Sequence, residues 1–288
     1  MKAYKVSIAD KFFDITQSIV GHEIRPGNTV TFMSEVDLTE VELLRARARA
    51  AGLIRPSYTA VVAKALALAL RDCPYANRRI VPTWFMVRIQ QFLSCDVAVA
   101  CERDEPGREV ATFVDVLREA DRRSLGEITD WLRRLALSDE TDNAQWRTYR
   151  TIVSRLPRWL AALAVRMPVF CPRLWSRYRG GAAMISSPAK YGVDAVLGSW
   201  TSPLGVSFGL VRQRAVVRDG QVVARPTFLL TLNFDRRVMA GAPAARFFHE
   251  IVRRLEAADF EEPAAARSHP APAAAARHAL AGCEVGGN

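Results

Sequence analysis

Apolar and polar residues alternate with two different periods along the chain. Residues 29–36 (TVTFMSEV) alternate as a half-buried strand does. Asp37 and Glu40 are predicted to cap the helix that follows. Ser57 is predicted to cap a second helix over residues 58–72, which is apolar nearly all round. This second helix is therefore expected to be buried.

Further strands are predicted along the middle of the chain. Apolar runs favour strands at 80–89, 93–100 and 205–211. Asp219 and Gly220 lie between two pairs of valines, which predicts a two-residue hairpin turn.

Residues 228–255 have the clearest local pattern. An apolar, aromatic-rich run ends abruptly in the charged triplet 235–237, which is typical of a buried strand followed by a turn. Apolar residues then recur at helical spacing, and Pro243 suits a first helical turn. The sequence therefore predicts a strand, a tight polar turn and a helix.

This segment resembles the catalytic end of the dihydrolipoyl acyltransferase cores of 2-oxo acid dehydrogenase complexes, whose fold is shared with chloramphenicol acetyltransferase. The family pattern runs Phe-Asp-His-Arg-Val-x-Asp-Gly-Ala-x-Ala-Ala-Arg-Phe. The positions kept here are Phe234, Asp235, Arg237, Val238, Gly241, Ala242, Ala244, Ala245, Arg246 and Phe247.

Two positions depart from the family pattern. Arg236 stands in place of the catalytic histidine, and Ala240 stands in place of the aspartate. In the family the histidine is the general base that takes a proton from a thiol or hydroxyl acceptor. Arginine stays protonated at working pH, so Arg236 cannot do this. The aspartate is implied to hold the turn by ion pairing, which alanine cannot, so the departures leave the chemistry open.

Other stretches extend the resemblance. Residues 35–70 and 109–128 are similar to family segments, and 180–187 (GGAAMISS) is similar to Gly-Gly-Thr-Phe-Thr-Ile-Ser-Asn. The resemblance covers about 29–128 and 180–256. It implies an α/β fold with a mixed sheet flanked by helices, the chloramphenicol acetyltransferase-like two-layer sandwich. It also implies a homotrimer, or a multiple of one, with the active channel between subunits.

The resemblance assigns the candidate site residues. Ser186 falls on the position whose hydroxyl hydrogen-bonds the oxyanion of the tetrahedral intermediate, a suitable place for a donor. Arg236 is predicted to contact a carboxylate, phosphate or oxyanion without moving a proton, and drift after loss of activity is the alternative. Asp235, retained from the family, completes the predicted catalytic set. The predicted substrate-binding residues are Ser187, Asn233 and Gly241.

None of the four histidines is predicted to replace the missing general base. His249 lies in the helix after the motif, where a surface or core role is the default. His22 lies in the N-terminal arm, from which it could reach a neighbouring subunit's channel. His269 and His278 fall in the predicted tail, which is a poor place for preorganised chemistry.

Positive charge is concentrated in one insert. The chain carries a net charge of +10, and eight arginines between residues 147 and 179 meet no acidic residue. The insert, about 129–179, mixes arginine with Trp, Leu and Val, and its prolines (157, 168 and 172) are predicted to break it. It is interpreted as a cover on the domain's own surface, or as a cap that contacts a membrane surface or a hydrophobic substrate through 147–179. Nucleic-acid binding is the least favoured interpretation, because no groove-reading motif is present.

Cysteine usage and the chain ends complete the prediction. Five cysteines without a C-x-x-C pair argue against a disulfide framework and against a zinc site, so no metal is predicted. Cys95 and Cys101 are expected to be reduced thiols facing one side of one strand. No signal peptide or membrane span is recognised, which predicts a cytoplasmic protein. The predicted organisation is an arm (1–28), a domain with the insert (29–260) and a disordered Ala/Pro-rich tail (261–288).

Two functions from different classes remain open. The first is an acyltransferase-like enzyme that acts on a coenzyme A or carrier thioester, or on a related small molecule, with no permanently bound cofactor. No segment matches the lipoyl and subunit-binding modules, so a stand-alone role in specialised metabolism is expected. The second is a catalytically inactive homologue that serves as an oligomeric scaffold or regulatory partner-binding protein through the insert or the tail. An open channel beside Arg236 and Ser186 would favour the enzyme.

Overall fold

The computed structural model describes residues 28–81, 88–103, 111–138 and 143–260, together with Lys11 and Ile15. The strands within these residues are β1 (Thr29–Asp37), β2 (Arg78–Val81), β3 (Arg88–Gln91), β4 (Val97–Arg103), β5 (Ala111–Leu117), β6 (Ala183–Ile185), β7 (Leu204–Phe208), β8 (Arg212–Arg218) and β9 (Gln221–Asp235). The α-helices are α1 (Thr39–Ala50), α2 (Tyr58–Asp72), α3 (Leu125–Leu137), α4 (Ala144–Arg155), α5 (Arg158–Phe170), α6 (Pro172–Tyr178) and α7 (Gly241–Glu256).

Seven of the strands form one mixed sheet in the order β1-β9-β7-β6-β4-β5, with β8 also pairing with β9. Strand β6 runs parallel to both β4 and β7, and the remaining pairs are antiparallel. Strands β2 and β3 form a separate two-stranded sheet. The expected α/β fold, a mixed sheet with flanking helices, is confirmed.

Helix α2 lies at the centre of the main hydrophobic core. All its residues from Ala60 to Leu70 are buried, including Lys64, whose Nζ donates to the carbonyl oxygens of Asp121 and Arg123. Ser57 caps the helix by accepting a hydrogen bond from the Ala60 amide at 3.1 Å. The prediction of a buried helix that begins at Ser57 is therefore confirmed. The alternate apolar residues of β9 (Phe228, Leu230, Leu232 and Phe234) and the apolar face of α7 (Ala244, Phe247, Phe248, Ile251 and Leu255) join the same core.

Polar residues occupy the other side of the central strands. Thr231 and Asn233 of β9 are buried, with 0 % and 1 % exposure. The Val196 carbonyl accepts from the Thr231 hydroxyl at 3.0 Å, and the Gly198 amide donates to the Asn233 side chain at 3.2 Å. Hydrogen bonds therefore hold the loop formed by residues 192–203 on the sheet.

The described residues of the insert that follow α3 form three helices, α4, α5 and α6. Trp146 of α4 packs edge-on against Phe113 of β5, with ring centroids 4.5 Å apart. Trp175 of α6 enters the main core, and its indole donates to the Gly181 carbonyl at 3.0 Å. Helix α5 packs on α4 through a second apolar cluster of Ile15, Val153, Ala161 and Val165. The N-terminal arm thus contributes Ile15 to this cluster.

Several local predictions are wrong. The run 80–89 is two short strands, β2 and β3, and residues 82–87 lie outside the described residues. Cys95 precedes β4, so it does not share a strand with Cys101. Leu38 is the N-cap of α1, which places Glu40 one position too early to close a capping box. Pro168 lies inside α5 rather than ending it.

None of the helices in the described residues combines the length and the apolar composition needed to cross a membrane. The predicted tail, 261–288, lies outside the described residues.

Candidate active site

The motif that resembles the family pattern includes the turn between β9 and α7. The Asp235 amide donates to the Pro203 carbonyl at 2.9 Å, and the Arg236 amide donates to the Asn28 carbonyl at 2.8 Å. The Val238 amide then donates back to the Asp235 carbonyl at 2.9 Å. The predicted succession of strand, turn and helix is present, and backbone hydrogen bonds fix the path of the turn.

Asp235 is paired within the turn. The guanidinium of Arg237 donates from Nε to Oδ1 at 3.0 Å and from Nη2 to Oδ2 at 2.6 Å. This hydrogen bonding raises the pKa of Arg237. A two-pronged pair fixes both side chains, so Asp235 orders the turn.

Arg78 holds the turn from outside it. Its Nε and Nη2 both donate to the Val238 carbonyl, at 3.0 and 2.6 Å. Ala240 is the N-cap of α7 and provides no side-chain cap. No motif in the sequence pointed to Arg78, which lies 160 residues before Val238.

Arg236 and Gly241 are both exposed. Within the described part of the chain, the Arg236 guanidinium forms no hydrogen bond or ion pair, so it faces solvent and can contact an anion. Gly241 is the first residue of α7, and no heavy atom lies within 4 Å of the position of an added Cβ atom. The surface beside the turn is therefore open.

Asn233 is buried on the polar side of β9. Its Oδ1 accepts from the Thr31 hydroxyl at 2.6 Å and from the Gly198 amide at 3.2 Å. Its Nδ2 has no hydrogen-bond partner among the described residues. The contacts of Asn233 thus connect β1, β9 and the loop 192–203.

Ser186 and Ser187 follow the end of β6, and their hydroxyls differ in their hydrogen bonding. The Ser187 hydroxyl donates to the Phe208 carbonyl at 2.7 Å and accepts from the Ala189 amide at 3.3 Å. Ser186 is half-buried, and its amide donates to the Val206 carbonyl at 3.2 Å. The Ser186 hydroxyl has no hydrogen bond to a described residue, so it can donate to a ligand.

Ser186 and Arg236 do not come together within one chain. Strands β6 and β9 pair with opposite edges of β7, and Ser186 lies level with Ser207, whereas Asp235 lies level with Pro203. Four residues along a strand correspond to about 13 Å. A single copy therefore does not place both side chains on one small substrate.

The remaining titratable candidates lie away from the turn. His249, the only histidine among the described residues, is exposed on α7. Cys95 and Asp121 line a surface cavity of about 310 Å³ together with Gln90, Gln91 and Arg122. Burial raises the pKa of Cys95 to about 12, so its thiol stays protonated at neutral pH. The described residues contain no group of His, Cys, Asp and Glu arranged to hold a metal ion.

Comparison with known proteins adds family evidence to this geometry. The family model for 2-oxoacid dehydrogenases acyltransferase (catalytic domain) matches residues 26–145 and 176–262. Residues 146–175, which carry most of α4 and all of α5, lie outside the match.

Curated relatives include two acyltransferase components. The chain is 26 % identical over 238 residues to the dihydrolipoyllysine-residue acetyltransferase component of the Bacillus subtilis pyruvate dehydrogenase complex, covering 78 % of this chain and 44 % of that protein. It is 26 % identical over 233 residues to the succinyltransferase component of the 2-oxoglutarate dehydrogenase complex from Bartonella vinsonii subsp. berkhoffii, covering 79 % and 47 %. The chain thus spans less than half the length of these relatives.

Solved structures show the same fold. The cubic core of the pyruvate dehydrogenase multienzyme complex aligns with a TM-score of 0.63 at 19 % identity, over 88 % of this chain and 91 % of that one. The dihydrolipoamide acetyltransferase of Azotobacter vinelandii aligns with a TM-score of 0.62 at 19 % identity, over the same shares. That structure concerns the roles of a serine, a histidine and an asparagine in its catalytic mechanism.

Proposed function

Because the chain belongs to the family of 2-oxoacid dehydrogenase acyltransferases through their catalytic domain, we propose that it binds an acyl thioester in a channel between copies of itself. The thioester is one of coenzyme A or of a carrier, or the ligand is a related small molecule. Acyl transfer from this ligand, in a stand-alone role, is the proposed activity.

The free hydroxyl of Ser186 is the observation that supports this proposal best. It follows a strand inside the region that matches the family, and its neighbour Ser187 already uses its own hydroxyl within the fold. A hydroxyl donor aimed at a thioester carbonyl stabilises the negative charge that develops on the oxygen during acyl transfer. Ser186 is therefore the proposed oxyanion donor.

Arg236 would stabilise negative charge on the ligand and would not transfer a proton. A guanidinium stays protonated at working pH, so the family's proton abstraction has no counterpart at this position. A nearby positive charge favours the anionic form of an acceptor and lowers the pKa of a thiol. The acceptor would arrive as a thiolate, attack the thioester carbon and displace the coenzyme A thiolate.

A catalytically inactive scaffold is the second candidate. Two observations favour it: Ala240 supplies no side-chain cap at the start of α7, and His249 lies exposed on the same helix. In this case the chain would assemble with copies of itself and bind a partner without transferring an acyl group.

Calorimetry with coenzyme A and acetyl-coenzyme A distinguishes the two candidates. Wild type is expected to bind, and Arg236→Ala to bind at least about tenfold more weakly because a charged hydrogen bond is lost. Arg133→Ala is the matched control, because Arg133 is also exposed and its loss changes the net charge equally. Equal binding by wild type and both variants would remove Arg236 from the site. Absence of binding by wild type would leave the scaffold as the function.

A further inference from the structure

Helix α5 carries an exposed apolar stripe. Trp159, Leu163, Met167 and Phe170 are 71 %, 53 %, 43 % and 50 % exposed. Their spacing of four, four and three residues places them on one side of an α-helix. Large apolar side chains grouped in this way on a soluble surface indicate an interaction site.

The other side of α5 already has its packing partners. Ala161 and Val165 are buried against Val153 of α4 and Ile15 of the N-terminal arm. The Lys11 ammonium donates to the Leu156 carbonyl at 2.7 Å, which holds Lys11 at the corner between α4 and α5. Because the inner side is filled, the orientation of α5 is fixed with the stripe outward.

Most of the net positive charge of the chain lies in the stretch of sequence that contains this helix. Residues 143–193 contain eight arginines, Lys190 and no Asp or Glu, which gives +9 of the chain's net +10. Arg155 and Arg173, just before and just after α5, are both exposed. Arg155 and Arg173 therefore place positive charge at both ends of the helix that carries the apolar stripe.

We propose that the outer side of α5 docks on an anionic lipid surface, with the helix axis parallel to the membrane plane. The stripe, led by Trp159 and Phe170, would enter the boundary between headgroups and acyl chains. The flanking arginines would contact lipid phosphates. A basic amphipathic helix with aromatic and aliphatic residues on one side is the type that binds in this way. Helix α5 has 13 residues, too few for the roughly 20 that a span needs.

Charge and shape favour lipid over other occupants. Pairing of two copies through this side would bring their arginine-rich segments together, which like-charge repulsion opposes. Nucleic acid would attract the arginines but would leave Trp159, Leu163 and Phe170 in water. An anionic membrane satisfies both the charge and the apolar stripe.

Flotation of the full chain with lipid vesicles tests the proposal. Wild type is expected to float with phosphatidylcholine vesicles that contain phosphatidylglycerol and to remain unbound with phosphatidylcholine alone. The stripe variant Trp159→Ser/Leu163→Ser/Phe170→Ser should lose at least about tenfold in partition coefficient because the inserted area is removed. The matched control is Leu43→Ser/Leu53→Ser/Leu137→Ser, which alters the same number of exposed apolar residues elsewhere and should bind as wild type does.

A charge variant provides a second, independent measurement. Arg155→Glu/Arg173→Glu should also lose about tenfold in binding to the anionic vesicles, and added salt should weaken wild type in the same direction. Circular dichroism checks that every variant is folded. The proposal is overturned if wild type binds neither vesicle, if it binds both equally, or if the stripe variant binds as wild type does. A fall in molecular mass of the stripe variant, without vesicle binding by wild type, would assign the stripe to contacts between copies.

Discussion

Two arginines hold the turn after β9. Arg237 pairs with Asp235 inside the turn, and Arg78 binds the Val238 carbonyl from outside. The family aspartate is implied to stabilise this turn, and Ala240 occupies its position at the N-terminus of α7. The geometry of the turn thus persists without that carboxylate, whereas α7 begins without a side-chain cap.

Restoring the carboxylate should stabilise the protein. Ala240 has the extended backbone of an N-cap, with φ −73° and ψ 168°. An aspartate there can accept from the first free amides of α7 and interacts favourably with the helix dipole. We expect Ala240→Asp to raise the free energy of unfolding by about 1 kcal/mol in urea denaturation. Ala240→Asn can cap the helix without adding a negative charge, so it separates the effect of capping from that of charge. A loss of stability in both variants would contradict this role for residue 240.

Restoring both family residues of the motif tests whether the absence of the histidine base limits acyl transfer. In Arg236→His/Ala240→Asp a neutral imidazole could take the acceptor's proton, a contribution of about a hundredfold or more. Acetyl transfer between acetyl-coenzyme A and a dithiol acceptor should then increase, with a rate that rises as pH passes about 6.5, the usual pKa of histidine. Ala240→Asp alone is the control and should show no such rise. If the double variant has the wild-type rate and pH profile, a histidine at residue 236 does not act as the general base in this chain.

At the scale of elements, a partly buried network joins α1 to α2. The Glu42 carboxylate accepts from the Tyr58 hydroxyl at 2.6 Å and from Arg45, whose guanidinium lies 3.7 Å from the centre of the Tyr58 ring. Burial by itself would raise the pKa of Glu42, but the hydrogen bonds from Tyr58 and Arg45 outweigh it and lower the pKa. Glu42 therefore stabilises the fold in its ionised form.

This network makes stability dependent on pH. A carboxyl whose pKa is lowered on folding adds stability above its unfolded value, about 4.5, and loses it as pH falls through the folded value. We expect Glu42→Gln to lower the free energy of unfolding by about 1 kcal/mol at pH 7. The deficit should shrink as the pH falls below about 4.5. Glu40→Gln, an exposed neighbour, should have little effect at either pH. A deficit independent of pH would show that charge does not matter at residue 42.

Elements with a strong local pattern were predictable, and long-range polar contacts were not. The composition of α2 alone predicted a buried helix, and the motif predicted β9, the turn and α7. Short apolar runs predicted less, because 80–89 reads as one strand but contains two. The sequence around Lys64 does not indicate that its ammonium donates to the carbonyls of Asp121 and Arg123, because these acceptors lie more than 50 residues away along the chain. The same holds for Arg78, so the residues that support the turn could only be found from the fold.

At the scale of the whole molecule, the central sheet has two different sides. Its apolar side is covered by helices, and its polar side by the loop 192–203. Ser186 and Arg236 lie at different levels of this sheet. The separation explains why one chain can contain both candidate residues without forming a complete site.

A site between copies predicts complementation by mixing. If each channel takes Ser186 from one copy and Arg236 from a neighbour, then Ser186→Ala and Arg236→Ala each damage every channel in their own assembly. Unfolding and refolding an equal mixture should produce rings in which about one quarter of the channels have both native residues, because neighbours combine at random. Acetyl transfer between acetyl-coenzyme A and a dithiol acceptor should return to about one quarter of the wild-type rate, while each variant refolded alone stays slow. Light scattering should give the mass of three chains or a multiple of three for all samples. A mixture that transfers acetyl groups no faster than its components, with that mass intact, would place both residues in one copy or exclude one of them from the site.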